Sequence, residues 1–189
     1  TATSVAIKHL REVFPSLIII GTEPGIKPAI NNTKTKNIGI LATASTLKGE
    51  KYQLLANELT TKSEVTLHEQ ACIGLVEQIE NGEINSLKTY SMLETWLKPM
   101  LHNKVDTIVL GCTHYPLVKK TILDIVGEDV LLIDTGDAIA KRVVTLSQDL
   151  QNNNKDELNI EILYTGKINS DMVKIILGKN KFEMRKCEL

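Results

Sequence analysis

Three side chains able to donate, accept or attack stand almost together in VDTIVLGCTHYPLV, from Val105 to Val118: Cys112, Thr113 and His114. A thiolate is a strong nucleophile and a carbon-acid base. An imidazole moves protons near neutral pH, and a hydroxyl both donates to and accepts from a carboxylate. Six strand-like residues end at Gly111, and Pro116 opens a helix-like run. Pro suits a first helical turn because its missing N–H has no helical partner to lose. The expected geometry therefore aims the Cys112 thiol at free backbone N–H groups and a positive helix end, where thiols ionise readily. The competing reading is a buried, inert cysteine. A core cysteine is more at home inside the strand than past its closing glycine. Cys112 and His114 also supply two metal ligands, but no spaced Cys/His pair completes a site. A Cys–His hydrolase needs more than two residues' proximity along the chain.

The elements that must position these groups alternate. Helices are expected over Ala2 to Phe14, Thr43 to Asn57, Cys72 to Ile79 and Glu83 to Leu101. Further helices are expected over Pro116 to Val126, Ala138 to Leu150 and Ser170 to Leu177. Strands are expected at Leu17 to Ile20, Asn37 to Ala42, Glu64 to Glu69, Val105 to Leu110, Val130 to Ile133, Leu158 to Tyr164 and Phe182 to Arg185. Pro24, Gly25 and Pro28 mark a loop, and Gln151 to Glu157 (QNNNKDE) a polar surface loop. Strands separated by helices imply parallel-sheet βαβ units and an α/β fold. Ligands of such folds lie at the carboxyl ends of the strands. The turns there read GTEPG, ATAST, GCTHYP, DTGDA and YTGKI, each with a threonine. Small residues and hydroxyls at those tips suit a small ligand bearing carboxylates, although threonine and glycine are common in any βα turn.

The 189 residues carry a formal charge of −1 from 22 basic and 23 acidic side chains. That balance argues against nucleic-acid or membrane-surface partners. The LIIIG run is too short to span a bilayer. Cys72, Cys112 and Cys187 are too widely spaced for a disulfide framework or a metal knuckle, so a cytoplasmic location is expected. Cys72, in ACIGLV, reads as core, and Cys187 as incidental. His9 and His102 read as surface helix positions.

GCTHYPLV, with the other strand tips, closely resembles the aspartate/glutamate racemase superfamily, and its glutamate racemases in particular. TATS at Thr1 to Ser4 resembles the tail of that family's first cysteine motif, Cys-Asn-Thr-Ala-Ser/Thr. GTEPGIKPAI, ILATAST, ACIGLVEQIENG and LIDTGDAIA follow in the family's order. The resemblance implies cofactor-independent interconversion of L- and D-glutamate by two cysteines on opposite faces of Cα, supplying D-glutamate for peptidoglycan. It gives Cys112 one acid/base role, His114 support of its proton transfers, and Thr113 a substrate carboxylate. Thr1, Thr43 and Thr46 match substrate-binding hydroxyls. Glu80 matches an acidic catalytic residue near the substrate amino group, with Glu77 the competitor under a small gap. No metal and no cofactor are implied; glutamate is the expected partner, and a homodimer one expected assembly.

The resemblance further implies two α/β domains. Residues 25–134 would form one nearly whole, carrying Cys112, and residues 1–24 with 135–189 about half of the other, which is left incomplete. The first cysteine, its asparagine and an Asp-Ser-Gly segment would precede Thr1. Two-face proton transfer needs both thiols, so this polypeptide alone is expected not to racemise glutamate measurably. Two alternatives stay open: an aspartate or hydantoin racemase, and a non-catalytic carboxylate-binding domain.

Overall fold

A computed structural model describes residues 2–148 and 158–188. Thr1 and the expected loop Gln151 to Glu157 lie outside the described residues. Among the described residues the chain forms two parallel sheets. The first has four strands, β1 (Asn37–Ala42), β2 (Thr66–Ala71), β3 (Thr107–Leu110) and β4 (Leu131–Ile133), in the order β2-β1-β3-β4. The second pairs β5 (Ile160–Tyr164) with β6 (Phe182–Lys186).

Pattern explains the order in the first sheet. β3 is buried along its whole length and β1 from Ile38 to Ala42, as central parallel strands must be when helices cover both faces. The outer strands β2 and β4 are only partly covered. Side chains alternate between two cores. Ile38, Ile40, Ala42 and Val109 face one side, against α2 (Ile26–Asn32) and α4 (Glu50–Ser63). Leu41, Ile108 and Leu110 face the other. There they meet α5 (Leu75–Glu80), α6 (Leu87–His102) and α7 (Lys119–Val126). Leu93 and Leu97 on α6, one turn apart, are fully buried, each worth roughly 1.5–3 kcal/mol. Ser86 caps α6 by accepting from the Thr89 N–H at 3.2 Å.

Several expected elements differ. Leu17 to Ile20 is not a strand: the Ile19 carbonyl is taken by the Arg11 guanidinium at 2.8 Å, and Leu17 and Ile18 are exposed. An apolar run becomes a strand only when a neighbouring ladder accepts it. The expected helix over Thr43 to Asn57 is two, α3 (Ala44–Lys48) and α4, because Gly49 is extended between them. The helix expected from Pro116 begins instead as a 3₁₀ turn, Tyr115–Val118, closed by Leu117 N–H on the His114 carbonyl at 3.1 Å. Among the described residues, the remaining helices are α1 (Ala2–Val13), α8 (Gly136–Leu146) and α9 (Ser170–Leu177).

Candidate functional site

The carboxyl ends of β1 and β3 open onto a cavity of about 350 Å³, the size of small-molecule sites. Its walls come from four separate turns. Thr43 and Thr46 follow β1, Gly111 to His114 follow β3, Thr135 follows β4, and Thr22 to Pro24 come from the coil ahead of α2. Val76 of α5 adds an apolar wall.

Thr43 is the N-cap of α3, its Oγ1 accepting from the Thr46 N–H at 3.2 Å. The two threonine hydroxyls lie 2.9 Å apart. At Gly111 the chain passes close to β1: its N–H donates to the Leu41 carbonyl at 2.7 Å. A Cβ there would stand 3.0 Å from the same carbonyl oxygen and 3.1 Å from the Ala42 Cβ. Glycine therefore lets β3 continue beside β1 past its last ladder bond and present Cys112 over the cavity.

Cys112 is part-buried, and its Sγ is 3.8 Å from His114 Nδ1. His114 Nε2 is 2.6 Å from Glu80 Oε1, at the end of α5. A carboxylate accepts only, so Nε2 carries the proton in this pair. In the neutral ring Nδ1 is then the lone-pair nitrogen facing the sulfur. The polar partner of the thiol is thus the imidazole. The expected helix end lies further off, since the 3₁₀ turn separates Cys112 from the start of α7 and dipole effects fade within one turn.

Cys112, Thr113, His114, Thr43 and Thr46 share one cavity. Glu80 stands behind His114, outside the lining. Glu77 is exposed one turn earlier, and among the described residues His114 bonds Glu80 rather than Glu77. Thr1 lies outside the described residues. Cys72 is buried, 3% exposed, and burial pushes its thiol up to about 12; its Sγ donates to the Gln70 carbonyl at 3.6 Å. Tyr115, from the same GCTHYP stretch, is fully buried core. His9 and His102 are exposed on helices.

Thr22, Glu23, Val76 and Thr135 are wall residues that no motif of the sequence singles out one by one. GTEPG and DTGDA were the available signals, and both supply wall positions. GTEPG does so from coil rather than a strand tip. YTGKI does not reach the cavity. Glu23, on the wall, is ion-paired with Lys51 of α4 at 2.5 Å.

The profile of the Asp/Glu/Hydantoin racemase family matches residues 3–143. A glutamate racemase of Aliarcobacter butzleri is 63% identical across the whole chain, which spans 72% of that relative. One of a Sulfurovum species is 60% identical over 94% of the chain, which spans 67% of it. A crystal structure of Escherichia coli glutamate racemase in complex with L-glutamate and the activator UDP-MurNAc-Ala superposes with a TM-score of 0.77. It is 28% identical, over 98% of this chain and 70% of that one.

Proposed function

The chain belongs to the Asp/Glu/Hydantoin racemase family, among its glutamate racemases, and we propose from that premise how its residues divide the chemistry. Cys112 is the acid/base on one face of the substrate Cα. The observation that carries this is the placement of its sulfur on the cavity wall, backed by His114 and Glu80.

Before turnover the thiol passes its proton to Nδ1 of His114. The imidazolium so formed is stabilised by the Glu80 carboxylate on its far side. The thiolate then removes the α-proton, which needs a positioned base and a stabilised carbanion. Thr43, Thr46 and Thr113 supply hydroxyl groups to the substrate carboxylates. Inversion also needs a donor on the opposite face. Cys112 is the sole thiol among the described residues of the wall. By the resemblance, that donor is a second cysteine thiol.

The same reading takes residues 25–134 as one domain, and 1–24 with 135–189 as part of a second. The two separate sheets, within residues 37–133 and 160–186, support that division. Among the described residues no helix is long and apolar enough to cross a membrane. A cytoplasmic setting, a homodimer and a supply of D-glutamate to peptidoglycan complete the proposal; light scattering tests the assembly.

Alkylation by iodoacetamide, read residue by residue by mass spectrometry, tests the site. Glutamate is expected to slow modification of Cys112 while leaving Cys187 unaffected. If saturating glutamate leaves the Cys112 rate unchanged, the cavity is not its binding site.

A further inference from the structure

We propose that Asn169, from the segment between β5 and α9, is a positioning residue for the Glu80–His114–Cys112 chain. This inference rests on the roles given above.

Helix α5 ends in a closed turn. Gly82, at φ +81°, lets its N–H reach the Ile79 carbonyl at 2.9 Å, and the Glu83 N–H reaches Gln78 at 2.9 Å. Asn81 N–H takes the Glu77 carbonyl at 3.0 Å. This Schellman arrangement serves the preceding carbonyls of the last turn. The Glu80 carbonyl is instead claimed by Asn169, whose Nδ2 donates to it at 3.1 Å across 89 positions of sequence. The other end of the same amide caps α9: its Oδ1 accepts from Asp171 N–H at 3.0 Å and Met172 N–H at 3.4 Å.

One side chain therefore ties the end of α5 to the start of α9. The tie falls on the residue whose carboxylate holds His114. The Glu80 side chain is more than half exposed, at 56%, so packing does little to place its carboxylate and the backbone it hangs from sets where it can reach. Pinning the Glu80 carbonyl limits the carboxylate to side-chain rotation alone. That keeps Nε2 engaged and Nδ1 turned to the sulfur. Met172 is independently buried in the core shared with Ile79. The helix start thus has a second anchor when the amide is changed.

The test separates cap from clamp. Asn169→Ser and Asn169→Asp keep an oxygen that caps α9, serine and aspartate being among the favoured caps, so melting temperatures should stay within about 3 °C. Both lose the N–H donor to Glu80. The readout is the pH–rate profile of Cys112 alkylation on the intact chain. Near neutral pH the rate should fall about threefold to tenfold in both variants, as in Glu80→Gln, with no further loss in Glu80→Gln/Asn169→Ser, because residues acting through one network are not additive. A normal profile in Asn169→Ser beside a lowered one in Glu80→Gln would make Asn169 a helix cap only and overturn the proposal. Should Glu80→Gln itself leave the profile unchanged, the proton relay of the proposed function fails first, and the role of Asn169 falls with it.

Discussion

The two ends of the four-stranded sheet treat their polar groups in opposite ways. At the amino ends of the strands, Asp106 is saturated. Its Oδ1 accepts from Thr33 Oγ1 at 2.6 Å and Thr107 Oγ1 at 3.0 Å. Its Oδ2 accepts from the N–H groups of Lys34 at 2.7 Å and Thr35 at 2.8 Å. These four bonds staple the turn before β1 to the start of β3. At the carboxyl ends, Cys112 lines the cavity with the core behind it, and its sulfur meets an imidazole at 3.8 Å. A carboxylate with every lone pair engaged adds stability and is unavailable for chemistry. A thiol left loosely held adds little stability and keeps its reactivity for a ligand.

Substitutions at either end sharpen or break this division. The largest effect is expected at Cys112. Cys112→Ala should lower deuterium incorporation at the glutamate α-carbon in D₂O by about a thousandfold, the scale of acid–base catalysis, with the melting temperature nearly unchanged. Mass spectrometry of glutamate recovered from D₂O checks this, and undiminished exchange would move the base elsewhere.

Asp106→Asn should act the other way. It should cost about 2 kcal/mol of stability in urea unfolding and leave the Cys112 alkylation rate as it was. Burial works to raise the Asp106 carboxyl, but the bonds from Thr33, Thr35, Lys34 and Thr107 outweigh it and hold it below the ordinary range. A lowered carboxyl stabilises above its unfolded value, and that stabilisation disappears as pH falls through the folded value. The gap between parent and variant should therefore close below about pH 4. A gap that widens in acid would contradict the sign.

Thr46→Ala should weaken glutamate protection of Cys112 by about threefold to tenfold, the loss of one hydrogen bond. Titrating that protection with glutamate measures it. The smallest effect belongs to Cys72, whose thiol is held protonated by burial at about 12. It should resist alkylation at pH 8 in the folded chain and react only in denaturant. Fast native modification of Cys72 would erase the contrast between the two cysteines.

Sequence carried much of this because the central strands are dictated by continuous burial. NIGILA over Asn37 to Ala42 is apolar wherever both faces are covered, so its limits agree with β1. Leu17 to Ile20 carries the same signal and fails, because strand formation depends on a partner ladder that no local pattern encodes. Gly49 was a visible break inside an otherwise helical run, and it decided the split of α3 from α4. The GCTHYP stretch mixes two duties. Cys112, Thr113 and His114 line a cavity, while Tyr115 is packed in the core. Glu77 and Glu80 compete because a small gap in the match of ACIGLVEQIENG to the family segment exchanges them. Only the tertiary position of His114 separates them. The Asn169 clamp was illegible for the same reason, since it joins segments 89 residues apart.

The wall of the cavity is drawn from residues 22–24, 43, 46, 76, 110–114 and 135. No local stretch of chain encloses it. During refolding the helices can form early, but the pocket cannot exist until the parallel pairings of β1, β3 and β4 have closed long loops, which is slow. Recovery of glutamate-protected Cys112 should accordingly lag behind recovery of helical circular dichroism, making that thiol a clock for the completion of the sheet.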